Sequence, residues 1–177
     1  METWDLYDDQ RQLTGRLRNR DSTTPWPMEH FHLVAKIALF SDNGSLLIQQ
    51  RTSTKSDWPN YWDLSAGGSV LAGETSWQGA KRECYEELGL LLPQTPRQPQ
   101  LTITSGQAYN DFYILKTDFN QLSELTLQKT EVQQIRWATF EEVKQLVAVG
   151  CFIPYPDPLL SILFEIGQNP NALWVFG

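Results

Sequence analysis

The best-defined element of this sequence is a helix that we predict over residues 76–88, and it limits the folds open to the chain. Thr75 or Ser76 can cap its first turn, and Gly89 follows where a left-handed residue commonly ends a helix. One stripe of the helix is apolar at helical spacing and must therefore pack inward. This stripe consists of Trp77, Ala80, Cys84 and Leu88.

Strands and hairpins surround this helix. We predict a small hairpin and six further strands, over residues 3–8 with 13–18, and over 31–40, 45–50, 62–66, 100–106, 111–117 and 131–137. Asn43-Gly44 lies between two apolar runs and predicts a tight turn that joins two of these strands. Further helices are expected over 139–149, with Thr139 as a cap, and over 158–166. This order favours an α/β (α+β) fold, with a mixed β-sheet and helices on its faces.

The length of 177 residues suits one compact domain with a small extension. We expect an N-terminal hairpin extension over residues 1–30 and the main domain over 31–150. Residues 151–177 are expected to form a helical C-terminal extension of that same domain. The unpaired edge of the N-terminal hairpin is a hint of a homodimer.

Charge and composition exclude several classes of function. The chain has 14 Lys and Arg against 21 Asp and Glu, and this net charge of −7 argues against a binder of nucleic-acid polymers. A small phosphorylated substrate is compatible with this charge, because bound metal ions can reverse its sign locally. Cys84 and Cys151 are too few for a disulfide framework, and no secretory signal or membrane span is visible. We expect a cytoplasmic protein with no membrane partner.

Three carboxylates gather on one face of the predicted helix. Glu83, Glu86 and Glu87 occupy positions i, i+3 and i+4 in its last two turns. Like charges at this spacing cost about 0.2–0.5 kcal/mol per pair, and the negative end of the helix dipole adds about 0.3–1 kcal/mol for each. A divalent cation would remove both penalties, since Mg²⁺ and Mn²⁺ take hard oxygen ligands. The alternative is an ordinary solvated helix face, because glutamate is a good helix former.

The wider segment resembles the signature box of the Nudix hydrolases. Gly68 is followed after five residues by Glu74, and Glu74 after seven residues by the run Arg82-Glu83-Cys84-Tyr85-Glu86-Glu87-Leu88-Gly89-Leu90. The fixed letters of the family pattern are all present, and only Cys84 departs, standing where the family usually has Ile, Leu or Val. The resemblance extends from about residue 31 to residue 149. It implies a Nudix α/β/α sandwich, with helices on both faces of a mixed sheet.

The resemblance also implies roles for the residues of the box. A divalent metal, Mg²⁺ or Mn²⁺, would be held by three carboxylates and one backbone carbonyl, those of Glu83, Glu86, Glu87 and Gly68. Arg82 and Glu74 resemble the pair that keeps the loop and the helix of the box in register, so Arg82 supports catalysis. Gly89 completes the box as a structural residue.

The reaction implied by the resemblance is hydrolysis of a small-molecule diphosphate, written generically as a nucleoside diphosphate linked to X. Bound metal would neutralise the phosphate oxygens and lower the pKa of the attacking water. A carboxylate would then take the proton of that water. Glu83 in the box and Glu131 on a later loop are both candidates for this general base.

A second resemblance links residues 46–63 to isopentenyl-diphosphate isomerase, which shares the Nudix fold. The matching Arg and Lys of that enzyme contact the substrate diphosphate, so Arg51 and Lys55 are predicted to bind phosphate in either case. The isomerase needs a catalytic Cys and a metal-binding His where this chain has Gly67 and Ser69. The sequence therefore favours a hydrolase over the isomerase.

Three further points bear on the alternatives. A catalytically silent Nudix module that binds a nucleotide usually has a broken box, whereas the box of this chain is intact. His32 falls near the position of another metal-binding His of the isomerase. Four aromatic residues could stack on a base, cover an isoprenoid chain or close the core, namely Trp26, Trp58, Tyr61 and Trp62.

Overall fold

The computed structural model describes residues 2–95, 97–117 and 122–169. The regular elements within these ranges are nine strands and three α-helices, here numbered along the chain. The strands are β1 (Thr3–Tyr7), β2 (Leu13–Asn19), β3 (His32–Phe40), β4 (Leu46–Arg51), β5 (Trp62–Asp63), β6 (Ala66–Ser69), β7 (Leu101–Ser105), β8 (Ala108–Lys116) and β9 (Val132–Ala138). The helices are α1 (Ser76–Leu88), α2 (Phe140–Ala148) and α3 (Asp157–Gln168).

The central strand of the main sheet is β3. It pairs in parallel with β8 along its whole length, from His32 with Ala108 to Phe40 with Lys116, and antiparallel with β6. The path across the sheet is β5-β4-β3-β8-β7, and β9 pairs with β4. The sheet is therefore mixed, as the sequence predicts.

The turn predicted at Asn43-Gly44 forms, but the strands that it joins separate at once. Gly44 has φ of 80°, and its N–H donates to the carbonyl of Ser41 over 2.9 Å. The pairing of β3 with β4 is then limited to Phe40 and Leu46. Beyond this point β6 occupies the edge of β3, whereas β5 and β9 pair with β4. The predicted hairpin is therefore present at its turn, and its two strands diverge beyond it.

Apolar side chains pack on both faces of the main sheet. On one face the apolar stripe of α1 packs against alternate residues of β3, such as Ala35 and Ile37. On the other face α2 and α3 pack against the intervening residues, such as Ala38 and Phe40, and all four of these side chains are fully buried. Helices therefore cover both faces, and the predicted α/β/α sandwich is confirmed.

The helix ends agree closely with the sequence. The hydroxyl of Thr75 accepts a hydrogen bond from the N–H of Gln78, and Gly89 ends α1 in the left-handed region. Thr139 caps α2 in the same way. The third helix extends to Gln168, slightly beyond its predicted end, and residues 170–177 of the expected C-terminal extension lie outside the described residues. Of the described helices, none is long and apolar enough to cross a membrane.

The prediction of one continuous strand over residues 62–66 is wrong. It is interrupted at Ser65, whose hydroxyl accepts a hydrogen bond from the N–H of Leu39 and donates one to the carbonyl of Leu47. This side chain bridges two backbone strands, so β5 ends before it and β6 starts after it. Gly67 and Gly68 consequently lie inside β6 and not beyond the end of a strand.

The predicted N-terminal hairpin is confirmed, and it is fastened to the main sheet. The strands β1 and β2 form their own two-stranded sheet. Arg11, at the tip of this hairpin, forms an ion pair with Asp111, which is fully buried in β8, and donates to the hydroxyl of Thr102 over 3.1 Å. The hydroxyl of Tyr109 donates to the carbonyl of Asp8 over 2.8 Å. The hairpin is therefore fixed in position by polar contacts far away in sequence.

Gly89→Ala should lower the free energy of unfolding more than Gly150→Ala. The two glycines have φ of 68° and 70°, so an added methyl group costs about 1–2 kcal/mol of backbone strain at either position. At residue 89 the new Cβ would also lie 3.0 Å from the Cβ of Thr126, whereas at residue 150 nothing lies within 4 Å. Urea denaturation should therefore show that Gly89→Ala lowers the free energy of unfolding by about 1–3 kcal/mol more than Gly150→Ala does. Equal losses would contradict this explanation.

Candidate active site

A cleft of about 390 Å³ opens where β3 and β4 diverge. Its lining includes strand residues on both sides of the divergence, Lys36 from β3 and Arg51 from β4, together with the carboxylate face of α1. Seven of the residues selected from the sequence line it, namely Arg51, Lys55, Gly68, Glu83, Glu86, Glu87 and Glu131. Residues far apart in sequence thus meet in one polar cavity.

Arg82 connects the helix α1 to the loop before it. Its guanidinium donates to both carboxylate oxygens of Glu74, over 2.9 and 3.0 Å, and to the carbonyl of Ser69 over 3.0 Å. The same group donates to Glu83 over 2.7 Å and to Glu86 over 3.3 Å. Burial opposes the charge of this guanidinium, but the hydrogen bonds and charges of its acidic partners outweigh burial and raise its pKa. Arg82 is therefore charged and holds the loop, the end of β6 and the helix together.

Glu87 is a buried carboxylate, with an exposed fraction of only 6 %. It accepts hydrogen bonds from the side-chain amide of Gln49 over 2.9 Å and from the N–H of Gly67 over 3.0 Å. Burial raises the pKa of Glu87 to about 8, and the charge of Glu83 adds to this effect. Within the described ranges no Lys or Arg forms an ion pair with it. An anion at this position therefore lacks the cation that would compensate its burial.

Gly68 lies directly against the carboxylate of Glu83. A Cβ at residue 68 would overlap this carboxylate, so a larger residue there would displace the Glu83 side chain from its bond to Arg82. Burial raises the pKa of Glu83, whereas the hydrogen bond and charge of Arg82 lower it. The backbone of β6 and a carboxylate of α1 thus meet at one place in the cleft.

These oxygen donors fit a hard divalent cation, although their side chains are held apart. Arg82 binds Glu83 and Glu86, while Gln49 binds Glu87. In the part of the chain that the structure describes, no group of three or more His, Cys, Asp or Glu side chains converges as a metal site would. The carboxylates line one cleft, and a cation would compete with Arg82 for two of them.

The cleft also carries the two cations that the sequence selected. Lys55 forms an ion pair with Glu131, which is one of the two candidates for the general base. Arg51 donates twice to the carbonyl of Asp57, over 3.1 and 2.9 Å. Because a backbone carbonyl carries no net charge, the charge of Arg51 is not neutralised by this contact. Both cations line the same cleft as the carboxylates of α1.

Sequence reasoning missed several residues of the cleft. Lys36 lines it, with an ion pair to Asp63 over 3.6 Å, and its position in the apolar strand 32–40 was the available signal. Gln49 binds Glu87 from β4 but does not itself line the cleft, and this buried residue had no comparable signal. Three N-terminal residues also line the cleft, namely Glu2, Trp4 and Arg20.

Two positions bear on the likeness to the isomerase. A Cβ at Gly67 would lie 2.7 Å from the carbonyl oxygen of Ala35, so this backbone leaves no room for a cysteine side chain there. His32 is not among the residues that line the cleft. Its ring stacks on Trp4 with centroids 4.6 Å apart, and its Nδ1 lies 3.0 Å from the carbonyl of Gln107.

Known proteins resemble this chain in both fold and sequence. A crystal structure of a protein from Deinococcus radiodurans has a TM-score of 0.76 and 23 % identity, covering 92 % of this chain and 99 % of that one. This likeness concerns the fold alone. Residues 30–151 match the family model described as the NUDIX domain. The chain belongs to the Nudix hydrolase family, whose members generally use divalent metal cations.

Relatives in sequence support this assignment. An uncharacterized Nudix hydrolase of Listeria monocytogenes is 44 % identical over 156 residues, which are 88 % of this chain and 90 % of that protein. An isopentenyl-diphosphate Delta-isomerase of Salmonella typhi is 30 % identical, over 85 % of each chain. Both likenesses noted in the sequence are thus present among the relatives.

Glu87→Gln should stabilise the metal-free protein increasingly as the pH rises from about 5 to 8. The pKa of Glu87 in the folded protein, about 8, exceeds the ordinary value of 4.5, so the wild type gains a proton on folding in this range. Its stability is therefore complete at low pH and falls as the pH rises toward 8. Glutamine does not ionise and should remove this slope, which is at most about 1.4 kcal/mol per pH unit.

Urea denaturation in EDTA at several pH values measures this effect. Glu141→Gln is the matched control, because Glu141 lies on α2 and does not line the cleft. The assignment would be wrong if Glu87→Gln and Glu141→Gln changed stability in parallel across the range.

Proposed function

We propose that this protein is a hydrolase that cleaves a diphosphate linkage in a small molecule, with Mg²⁺ or Mn²⁺ as its cofactor. The substrate is a nucleoside diphosphate linked to X or a related organic pyrophosphate. One observation carries the proposal: the carboxylates of α1, the backbone of Gly68 and two cations line a single cleft. Membership of the Nudix family and an intact box support it.

Three glutamates and one carbonyl are the proposed metal ligands, from Glu83, Glu86, Glu87 and Gly68. When bound, the metal supplies positive charge to the phosphate oxygens and acidifies the attacking water. The unpaired burial of Glu87 and the clustering of like charges on α1 support this assignment, because a cation would relieve both. Glu86 lies on the exposed side of the cluster, with a side-chain exposure of 47 %. Its carboxylate can therefore exchange the bond to Arg82 for a bond to another partner.

The residues opposite the carboxylates are proposed to hold the diphosphate. Arg51 has two N–H groups on a neutral carbonyl, and these can turn to phosphate oxygens, which are the better acceptors. Lys55 would exchange Glu131 for phosphate or bridge the two. Binding on both sides of the reacting phosphorus fixes its orientation, which is a large share of the rate enhancement in such reactions.

We propose Glu83 as the general base, in addition to its contact with the metal. Glu131 is paired with Lys55 and Glu83 with Arg82, so ion pairing does not separate the two candidates, but their burial does. Glu83 is less exposed, with a side-chain exposure of 15 %, and lies against Gly68. A carboxylate in such a place can hold and orient one water molecule.

Two other activities are less well supported. An isomerase of the related kind needs a cysteine where the Cβ of residue 67 has no room. A silent binding module would not need the complete set of carboxylates that line this cleft. The same assay separates all three.

Glu86→Gln should abolish metal-dependent hydrolysis while leaving the protein folded. The change removes one charge from the proposed metal site, so kcat should fall about 100-fold or more. Phosphate release is measured with Mg²⁺ and with EDTA on nucleoside diphosphate derivatives, nucleoside triphosphates and isopentenyl diphosphate. The control is Glu141→Gln, an exposed glutamate of α2, which should retain full activity.

Two results would overturn the hydrolase proposal. One is the absence of hydrolysis for every compound, combined with tight metal-dependent binding of one of them, which would favour the silent module. The other is isomerisation of isopentenyl diphosphate without release of phosphate.

Glu83→Gln and Glu131→Gln should differ in their effects on kcat. Loss of a general base typically lowers kcat by about 10²–10⁴-fold, and we expect this for Glu83→Gln. Glu131→Gln releases Lys55 and should change KM more than kcat, with the acidic limb of the pH–rate profile retained. If Glu131→Gln removed that limb instead, Glu131 would be the base.

A further inference from the structure

The N-terminal hairpin supplies part of the cleft, although it lies outside residues 30–151, which match the family model. Glu2 and Trp4 from the start of the chain and Arg20 from the end of the hairpin line the cavity beside Val34 of β3. These residues come from a segment separate from α1 and from the loops that carry Lys55 and Glu131. The hairpin therefore forms one wall of the candidate active site.

Alternation along β1 explains how Trp4 reaches the cleft. Leu6 is buried, with an exposed fraction of 2 %, so it faces the domain. Side chains two residues apart in a strand share a face, and Trp4 therefore faces the domain as well. Trp4 lies where this buried face reaches the open cleft.

The indole of Trp4 is held by ring contacts and not by a hydrogen bond. It stacks on His32 with an interplanar angle of 15° and a centroid distance of 4.6 Å. Trp26 packs against the same imidazole, with a centroid distance of 5.2 Å, but does not line the cleft. The N–H of Trp4 is buried with no hydrogen-bond partner among the described residues, so a phenylalanine ring could replace the indole without losing a polar contact.

Backbone contacts fix this wall relative to the box. The N–H of Ala72 donates to the carbonyl of Thr3 over 2.8 Å, and the N–H of Gly73 donates to the carboxylate of Asp5 over 2.7 Å. These two acceptors flank Trp4 in sequence. The aromatic ring is therefore positioned in advance with respect to α1, and little order is lost when a ligand binds against it.

We propose that Trp4 is a specificity residue that contacts a flat aromatic ring in the group attached to the diphosphate, as a nucleobase would provide. This inference rests on the proposed function, because it needs the diphosphate to lie between the carboxylates and Arg51. Trp4 lines the same cleft and can therefore meet the attached group. Glu2 and Arg20 pair with each other, whereas the aromatic ring and the apolar Val34 favour a flat, weakly polar partner over a sugar or a phosphate.

Binding of nucleoside diphosphates and of inorganic pyrophosphate tests this proposal. Isothermal calorimetry with Mg²⁺ is performed on the full chain, the ligands being ADP, CDP, GDP, UDP and pyrophosphate. Trp4→Ala should weaken the best nucleoside diphosphate about tenfold and leave pyrophosphate unchanged, since stacking involves only the base. Trp4→Phe retains an aromatic ring, so its affinity for the nucleoside diphosphate should fall only about twofold. Trp26→Ala is the matched control, because it removes a ring that packs against both His32 and Trp4 but does not line the cleft, and it should leave both affinities unchanged.

For any nucleoside derivative that is hydrolysed, Trp4→Ala should raise KM by the same factor of about ten, with kcat within about twofold of the wild type. The inference would be overturned by equal losses for nucleoside diphosphates and pyrophosphate, by Trp26→Ala acting like Trp4→Ala, or by no nucleoside diphosphate binding better than pyrophosphate. Failure of the hydrolase proposal looks different: no compound is hydrolysed, while Trp4→Ala still weakens only the nucleoside diphosphates.

Discussion

The contacts of one guanidinium group underlie the geometry of the candidate site. Arg82 is bound at once to Glu74 in the loop, to the carbonyl of Ser69 at the end of β6, and to Glu83 and Glu86 on its own helix. Without this cation the carboxylates of α1 would repel one another beside the negative end of the helix dipole. Its charge also explains why Glu83 and Glu86 can lie against the sheet, while Gln49 and the N–H of Gly67 bind the third carboxylate, Glu87.

The sheet contributes the space in which this acidic face can act. Because β3 and β4 separate after one pair of residues, the short strand β6 can lie on β3 and bring Gly68 against Glu83. The cations Arg51 and Lys55 line the same cleft as the carboxylates. A cleft that carries both kinds of charge suits the proposed substrate, an anion that would be bound together with a metal ion.

Much of the fold could be predicted from local patterns. The helix α1 has its predicted ends, because its cap at Thr75 and its glycine at residue 89 are decided within a few residues. The strand over 62–66 could not be predicted correctly, since its interruption depends on Ser65 bonding to two strands that are distant in sequence. The same reason explains why the divergence of β3 from β4 was missed: the competing partner, β6, is chosen by tertiary pairing.

The sequence by itself determined the carboxylate face of α1, the fit to the Nudix box and the two cations of the β4 region, because fixed spacing along one chain carries all of them. Only the tertiary structure decided what stands opposite that face. The pairing of Lys55 with Glu131, the burial of Glu87 under Gln49 and the entry of Trp4 into the cleft each join segments far apart in sequence. Such contacts follow from how the sheet and the hairpin pack, and local spacing carries no signal for them.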